Sequence, residues 1–165
     1  MSLTVIQGAF ELGLIFAIMS MGIFISFRIL NIPDLTIDGS YTLGMAVSAI
    51  CAVNGYPFLG VALAVAAGAV AGCVTGLLQT KMKVQPILAG ILTMTALYSI
   101  NLRVMGQKPN ISLFDKKSIF SPLESIIGEG AANLLVIGLI LIFVILGIFF
   151  FLKTQLGMSL RATGD

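Results

Sequence analysis

Four stretches of this sequence stay apolar for about as long as a helix needs to cross a bilayer core, roughly 20 residues. They are Leu12–Leu30, interrupted by Ser20, Ser26 and Arg28, then Tyr56–Leu78, Pro86–Leu102 and Ala131–Leu152. A fifth stretch, Tyr41–Val53, is too short to cross alone. Backbone N–H and C=O groups find no partners in hydrocarbon, so spanning segments must satisfy them internally. The expected fold is therefore all-α: a polytopic integral membrane protein with about five transmembrane segments, one of them a short or broken helix after Asp38. Composition agrees, with 58% hydrophobic and 10% charged residues against about 25% charged in soluble domains. A soluble enzyme and a disordered chain are excluded. A nucleic-acid partner is excluded too, since the net charge is only +2 and such binding needs a strong basic excess. There is no His, which removes the usual general base and metal ligand. No catalytic residue, metal site or cofactor is expected. No basic run precedes the first apolar stretch, which favours a retained helix over a cleaved signal. Cys51 and Cys73 lie in apolar runs and read as buried, unpaired small residues.

The short second segment follows a polar run, Asn31-Ile-Pro-Asp-Leu-Thr-Ile-Asp-Gly-Ser40. Pro33 disfavours helix at Ile32, and Asp38 or Ser40 can cap the helix that follows. Two readings stand. In one, a broken helix carries polar backbone partly to membrane depth. In the other, this is a turn between two full helices. Asp34 and Asp38 are spaced to share a helical face, and Thr36 and Ser40 add hydroxyls. Intramembrane ionisable groups default to a functional role, so Asp34, Thr36, Asp38 and Ser40 are candidates for a substrate pathway. Capping and turn chemistry is the competing role for the same residues.

Two helical patterns stand out further along. Gly60, Ala64, Gly68, Gly72 and Gly76 recur every four residues. They form a gently drifting stripe of the kind that lets membrane helices pack closely. Thr95, Tyr98, Ser99 and Asn101 fall within an arc of roughly 160° at about 100° per residue. Such an arc faces either a polar path or hydrogen-bonding groups on a partner helix; Thr95, Tyr98 and Asn101 join the pathway candidates. Between Gly106 and Gly130, Ser121-Pro-Leu-Glu124 predicts the start of a short surface helix. Asn110-Ile-Ser112 matches a glycosylation acceptor pattern.

Alternating crossings divide the basic residues into Arg28, Lys81, Lys83, Lys153 and Arg161 on one side, and Arg103, Lys108, Lys116 and Lys117 on the other. Short basic loops weigh most toward the cytoplasm. That favours an extracytoplasmic N-terminus.

Two runs carry a family resemblance. Asp34-Leu-Thr-Ile-Asp-Gly-Ser40 is similar to the Asp-Leu-Ser-Val-Gly-Ser run of sugar permeases, with Asp38 as an extra residue. Thr154-Gln-Leu-Gly-Met-Ser-Leu-Arg-Ala-Thr-Gly-Asp165 resembles the start of a cytoplasmic coupling loop. Both runs thus resemble those of permease subunits of ATP-binding-cassette importers, in the branch serving branched-chain amino acids and ribose-type sugars. The Asn31–Ser40 form looks closest to a subgroup described as tryptophan or tyrosine permeases. The resemblance implies a small organic substrate, amino-acid-like in that subgroup. It implies a second permease subunit in a homodimer, two cytosolic ATPase subunits and an extracytoplasmic substrate-binding protein. ATP would be used by the partner, since the chain has no phosphate-binding loop. Gly157, Arg161, Ala162, Thr163, Gly164 and Asp165 would contribute to ATPase coupling, on the cytoplasmic side of a bacterial-type plasma membrane. Gly157 and Gly164 are expected to bracket a short docking helix. Family members continue past this point, so residues 1–165 read as the N-terminal portion of one permease domain, from a fragment or a truncated product. The alternative class is a small oligomeric membrane scaffold or channel not coupled to an ATPase.

Overall fold

The computed structural model describes residues 3–113, 119–120 and 129–164. These are helical throughout their ordered elements: α1 (Leu3–Phe24), a π-helical turn (Ile25–Ile29), α2 (Thr36–Val53), α3 (Pro57–Thr80), α4 (Pro86–Val104), α5 (Glu129–Lys153) and α6 (Gln155–Gly164). Five of the described helices are long and apolar enough to cross a membrane, α2 being the shortest at 18 residues. The expected surface helix at Ser121–Glu124 lies outside the described residues, as do Lys116, Lys117 and Asp165.

The chain forms two compact units, residues 33–119 and residues 1–32 with 120–165. In the first, α2, α3 and α4 are joined by short links and pack up-down-up. Proline at the first position starts both α3 and α4, where its missing N–H costs nothing. Gly55 closes α2 with φ +87°. The Tyr56 N–H bonds the Cys51 carbonyl at 2.9 Å and the Gly55 N–H bonds that of Ala52 at 3.0 Å. This is the paired closure that a left-handed residue makes possible. The centre is Leu43, Ala71 and Leu97, flanked by Val47 and Ala67.

The second helix differs from the sequence reading. It begins at Thr36 rather than Tyr41 and runs unbroken to Val53. Neither Asp38 nor Ser40 caps it. Instead the Asp34 carboxylate accepts the Thr36 N–H at 2.8 Å, an Asx turn that substitutes for a backbone turn. Asp38 is exposed in the first turn.

The four-residue stripe on α3 divides. A Cβ on Gly60 would lie 2.9 Å from Cys51 Cβ and 3.1 Å from the Ser48 carbonyl oxygen, and Ala64 packs over Gly44. Gly68, Gly72 and Gly76 have nothing within 4 Å of a Cβ among the described residues. Each four-residue step advances about 400°, so the stripe rotates about 40° per step and about 160° from Gly60 to Gly76. The face that stays against α2 and α4 runs Gly60, Ala71, Thr75 instead. Cys51 is half-buried, but Cys73 is exposed on α3, not buried; both are free thiols.

In the second unit, α1 packs along α5, with Gly130 against the Gln7 side chain and Ala132 fully buried. Pro33 disfavours α geometry at Ile32, and the helix ends just before it. It does so through a widened turn. The Leu30 N–H bonds the Ile25 carbonyl, Asn31 takes φ +52°, and the Ser26 hydroxyl donates to the Ile32 carbonyl at 2.6 Å. At the far end, one hydroxyl joins two helices. Thr154 Oγ1 donates to the Phe151 carbonyl that ends α5, at 2.6 Å, and accepts the Gly157 N–H of α6 at 3.3 Å. Gly157 therefore does not bracket α6; it lies in its first turn, buried where a Cβ would strike the Phe151 carbonyl and the Leu152 backbone.

Candidate functional site

The most concentrated buried polarity lies where α2 begins. Thr36, Thr75 and Thr93, one from each of α2, α3 and α4, are 2%, 2% and 4% exposed. Their hydroxyls are joined, Thr36 to Thr75 at 2.8 Å and Thr75 to Thr93 at 3.0 Å. Each hydroxyl has one proton to give. Thr93 is placed to donate to the Ala89 carbonyl at 3.0 Å, so its oxygen accepts from Thr75. Thr75 then accepts from Thr36, its 3.3 Å contact with the Ala71 carbonyl being the longer alternative. The proton order runs Thr36, Thr75, Thr93, Ala89 carbonyl, with every proton used. This chain clamps three helices at one level.

That level lies inside the helix ends. Thr75 precedes the end of α3 at Thr80, and Thr93 follows the start of α4 at Pro86. At about 1.5 Å per residue, the first residue of α2 sits roughly 8–10 Å inward from the α3–α4 link. Gly90 makes room for it: a Cβ there would stand 2.9 Å from the Leu35 nitrogen and 3.5 Å from Asp34 Oδ1. Gly39 does the same one turn on, at 3.2 Å from the Met94 Cα. The helix is unbroken, and its polar first turn starts inward of the α3–α4 link rather than level with it. The positive end of such a helix attracts an anion; here Asp34 supplies it from within the chain.

A second polar contact lies further along the same helices. Asn101 Nδ2 donates to Thr42 Oγ1 at 2.9 Å, and Thr42 donates to the Gly39 carbonyl at 2.8 Å. Asn101 Oδ1 is buried and has no hydrogen-bond partner among the described residues.

The pathway candidates are thus placed differently from one another. Thr36 and Asn101 face inward and Asp34 is half-buried, while Asp38 and Thr95 are exposed and Tyr98 is 67% exposed. Ser40 donates to the Ile37 carbonyl on its own helix. Thr95 is back-bonded to Ile91 and Leu92. The inward arc on α4 is Thr93, Leu97 and Asn101; the arc from Thr95 to Asn101 is only its edge. Thr42, Thr75 and Thr93 were not singled out from sequence. Of the coupling candidates, Arg161, Ala162 and Thr163 are exposed on α6 and Gly164 ends that helix.

Comparison with known proteins follows the same outline. Residues 5–165 match the family described as branched-chain amino acid transport system, permease component. A tyrosine transport system permease protein of Clostridioides difficile (strain R20291) is 43% identical over 154 residues, covering 93% of this chain and 50% of the relative. An uncharacterised protein of Rickettsia prowazekii (strain Madrid E) is 37% identical over 156 residues, 94% of this chain and 53% of the relative. The chain spans about half the length of these curated relatives. No solved structure matches.

Proposed function

Because the chain belongs to the family of branched-chain amino acid transport permease components, we propose that it forms part of the translocation pathway of an ATP-binding-cassette importer for an amino-acid-like solute. It is a multi-pass membrane protein of a transport system. Within that frame, the parent protein pairs with a second permease subunit, receives solute from an extracytoplasmic binding protein and is driven by two cytosolic ATPases. It hydrolyses no ATP itself. The N-terminus is outside and residue 165 inside. The observation that carries this reading is the 43% identity to a tyrosine transport permease along nearly the whole chain.

Two structural features support it. Asp34 and the α2 N-terminus offer a charged, half-buried group inside the helix ends, where a gate or solute contact needs one. Thr36 and Ser40 follow it on α2, and Asn101 meets Thr42 further along the same helices; Asp38, Thr95 and Tyr98 would reach a solute only through surfaces that other subunits or segments complete. In the other unit, α6 leaves α5 through a corner fixed by the Thr154 hydroxyl and buried Gly157. A helix held this firmly to a spanning segment can transmit a push from a cytosolic partner, with Arg161, Ala162, Thr163, Gly164 and Asp165 as its contact run.

The test is co-purification of the parent permease with the ATPase encoded beside it. The expected result is a complex that Arg161→Glu disrupts or uncouples while membrane levels hold. Failure of any ATPase to co-purify, with the permease intact, would favour an uncoupled membrane scaffold or channel.

A further inference from the structure

In the unit formed by α1, α5 and α6, a cleft of about 320 Å³ is lined by Phe24, Arg28, Ile29, Leu152 and Arg161. Its two cations come from different elements. Arg28 belongs to the π-helical turn that the block at Ile32 and Pro33 imposes on the end of α1. Arg161 is carried there by α6 after the corner at Thr154 and Gly157. Both guanidinium groups are exposed, and neither forms an ion pair with any described residue. The third cation of this end, Lys153, is turned away onto the Phe149 ring, 4.4 Å from its centroid. Of the acidic residues on this unit's described helices, Glu11 lies 17 residues up α1 from Arg28, about 25 Å along the helix, and Glu129 opens α5, 23 residues before Leu152.

Two guanidinium groups lining one cleft place like charges together, which an anion between them would offset, and their planar forks suit phosphate oxygens. The remaining walls are apolar. Phe24 and Leu152 belong to spanning segments, and Phe24 lies about 6 Å deeper along its helix than Arg28. The site therefore offers charge at the membrane boundary and hydrocarbon contact just below it. A carboxylate on a cytosolic protein needs only the first of these; a phospholipid uses both. Basic pockets between membrane helices at such a boundary are suited to anionic headgroups.

We propose that Arg28 and Arg161 together bind the phosphate of an anionic phospholipid, whose acyl chain runs along Phe24 and Leu152. The lipid ties the end of α1 to α6. This rests on membrane insertion alone: it gives the Arg161 side chain to lipid and leaves Ala162, Thr163 and Gly164 of the proposed run to an ATPase.

The experiment is native mass spectrometry of the purified full chain, titrated with phosphatidylglycerol or phosphatidylcholine, with inorganic phosphate in a parallel arm. One phosphatidylglycerol should be retained in preference to phosphatidylcholine. Arg28→Gln or Arg161→Gln should each weaken it about fivefold and the double variant about thirtyfold. Arg28→Lys and Arg161→Lys should fold as wild type and keep the preference for phosphatidylglycerol with weaker retention, since lysine keeps the charge and loses the fork. Lys81→Gln, on the other unit, should leave binding unchanged. Undiminished phosphatidylglycerol binding by the folded double variant would overturn the proposal. So would inorganic phosphate displacing the lipid at equal concentration, which would make this a free-phosphate site. Loss of ATPase co-purification in Arg28→Gln, with lipid binding unchanged, would assign the pair to a protein partner and overturn it as well.

Discussion

Gly90→Ala and Gly72→Ala make the same chemical change on adjacent membrane helices, and the structure predicts that they differ. Both add one methyl group and both gain the helix preference of alanine over glycine, about 1 kcal/mol. That gain cancels in the comparison. At Gly72 the new Cβ meets nothing within 4 Å among the described residues. At Gly90 it would stand 2.9 Å from the Leu35 nitrogen, 3.3 Å from Leu35 Cβ and 3.5 Å from Asp34 Oδ1. The nearest atom is backbone, so no rotamer change relieves it. The start of α2 must lift, loosening the Asx turn at Asp34 and the Thr36–Thr75 bond. Overpacking of this kind costs about 1–3 kcal/mol. For a chain of this size that corresponds to a melting difference of about 2–12 °C. Thermal unfolding of the two variants in one detergent, followed by helical circular dichroism and checked by gel filtration, measures it. Gly90→Ala melting at or above Gly72→Ala would refute the close approach of α2 to α4, and with it the inward placement of Asp34.

Thr75→Val keeps the shape but removes the central hydroxyl of the clamp; it should lower stability by about 1–2 kcal/mol, with Thr75→Ser restoring most of it in the same melt. Asp34→Asn keeps an acceptor for the Thr36 N–H, so membrane levels should hold while uptake by the parent permease falls; normal uptake would remove Asp34 from the pathway. Gly157→Ala should swing α6 away from the end of α5, read as a changed spin-label distance between positions 149 and 160, because its Cβ has no room beside Leu152. A cysteine at Ser118 should react with an impermeant thiol reagent from outside intact cells and one at Met82 should not; the reverse would invert the topology.

The spanning helices were legible because about 20 apolar residues admit few other structures; the end signals at Gly55, Pro57 and Pro86 became plain only in the structure. The start of α2 was not legible. Asp34, Asp38 and Ser40 are all competent caps, and only the space left by Gly90 and Gly39 selects Asp34. The stripe on α3 divides between two faces because a four-residue period drifts off a 3.6-residue helix. The threonine clamp was hidden for a different reason. Thr75, Thr80, Thr93 and Thr95 can all bond a carbonyl four residues back on their own helix. Nothing in the local sequence separates those that also reach across from those that do not. Asn101 was legible as polar within an apolar helix, but its partner Thr42, on another helix, was not.

The most direct test of the transport reading is uptake of labelled tyrosine and other amino acids by proteoliposomes. These should hold the parent permease, its neighbouring ATPase and its binding protein, with ATP or a non-hydrolysable analogue inside. The account predicts accumulation of an aromatic or other small amino acid that requires hydrolysable ATP and the binding protein, and that falls in Asp34→Asn at equal protein incorporation. Solute flux that is indifferent to ATP and to the binding protein would contradict it.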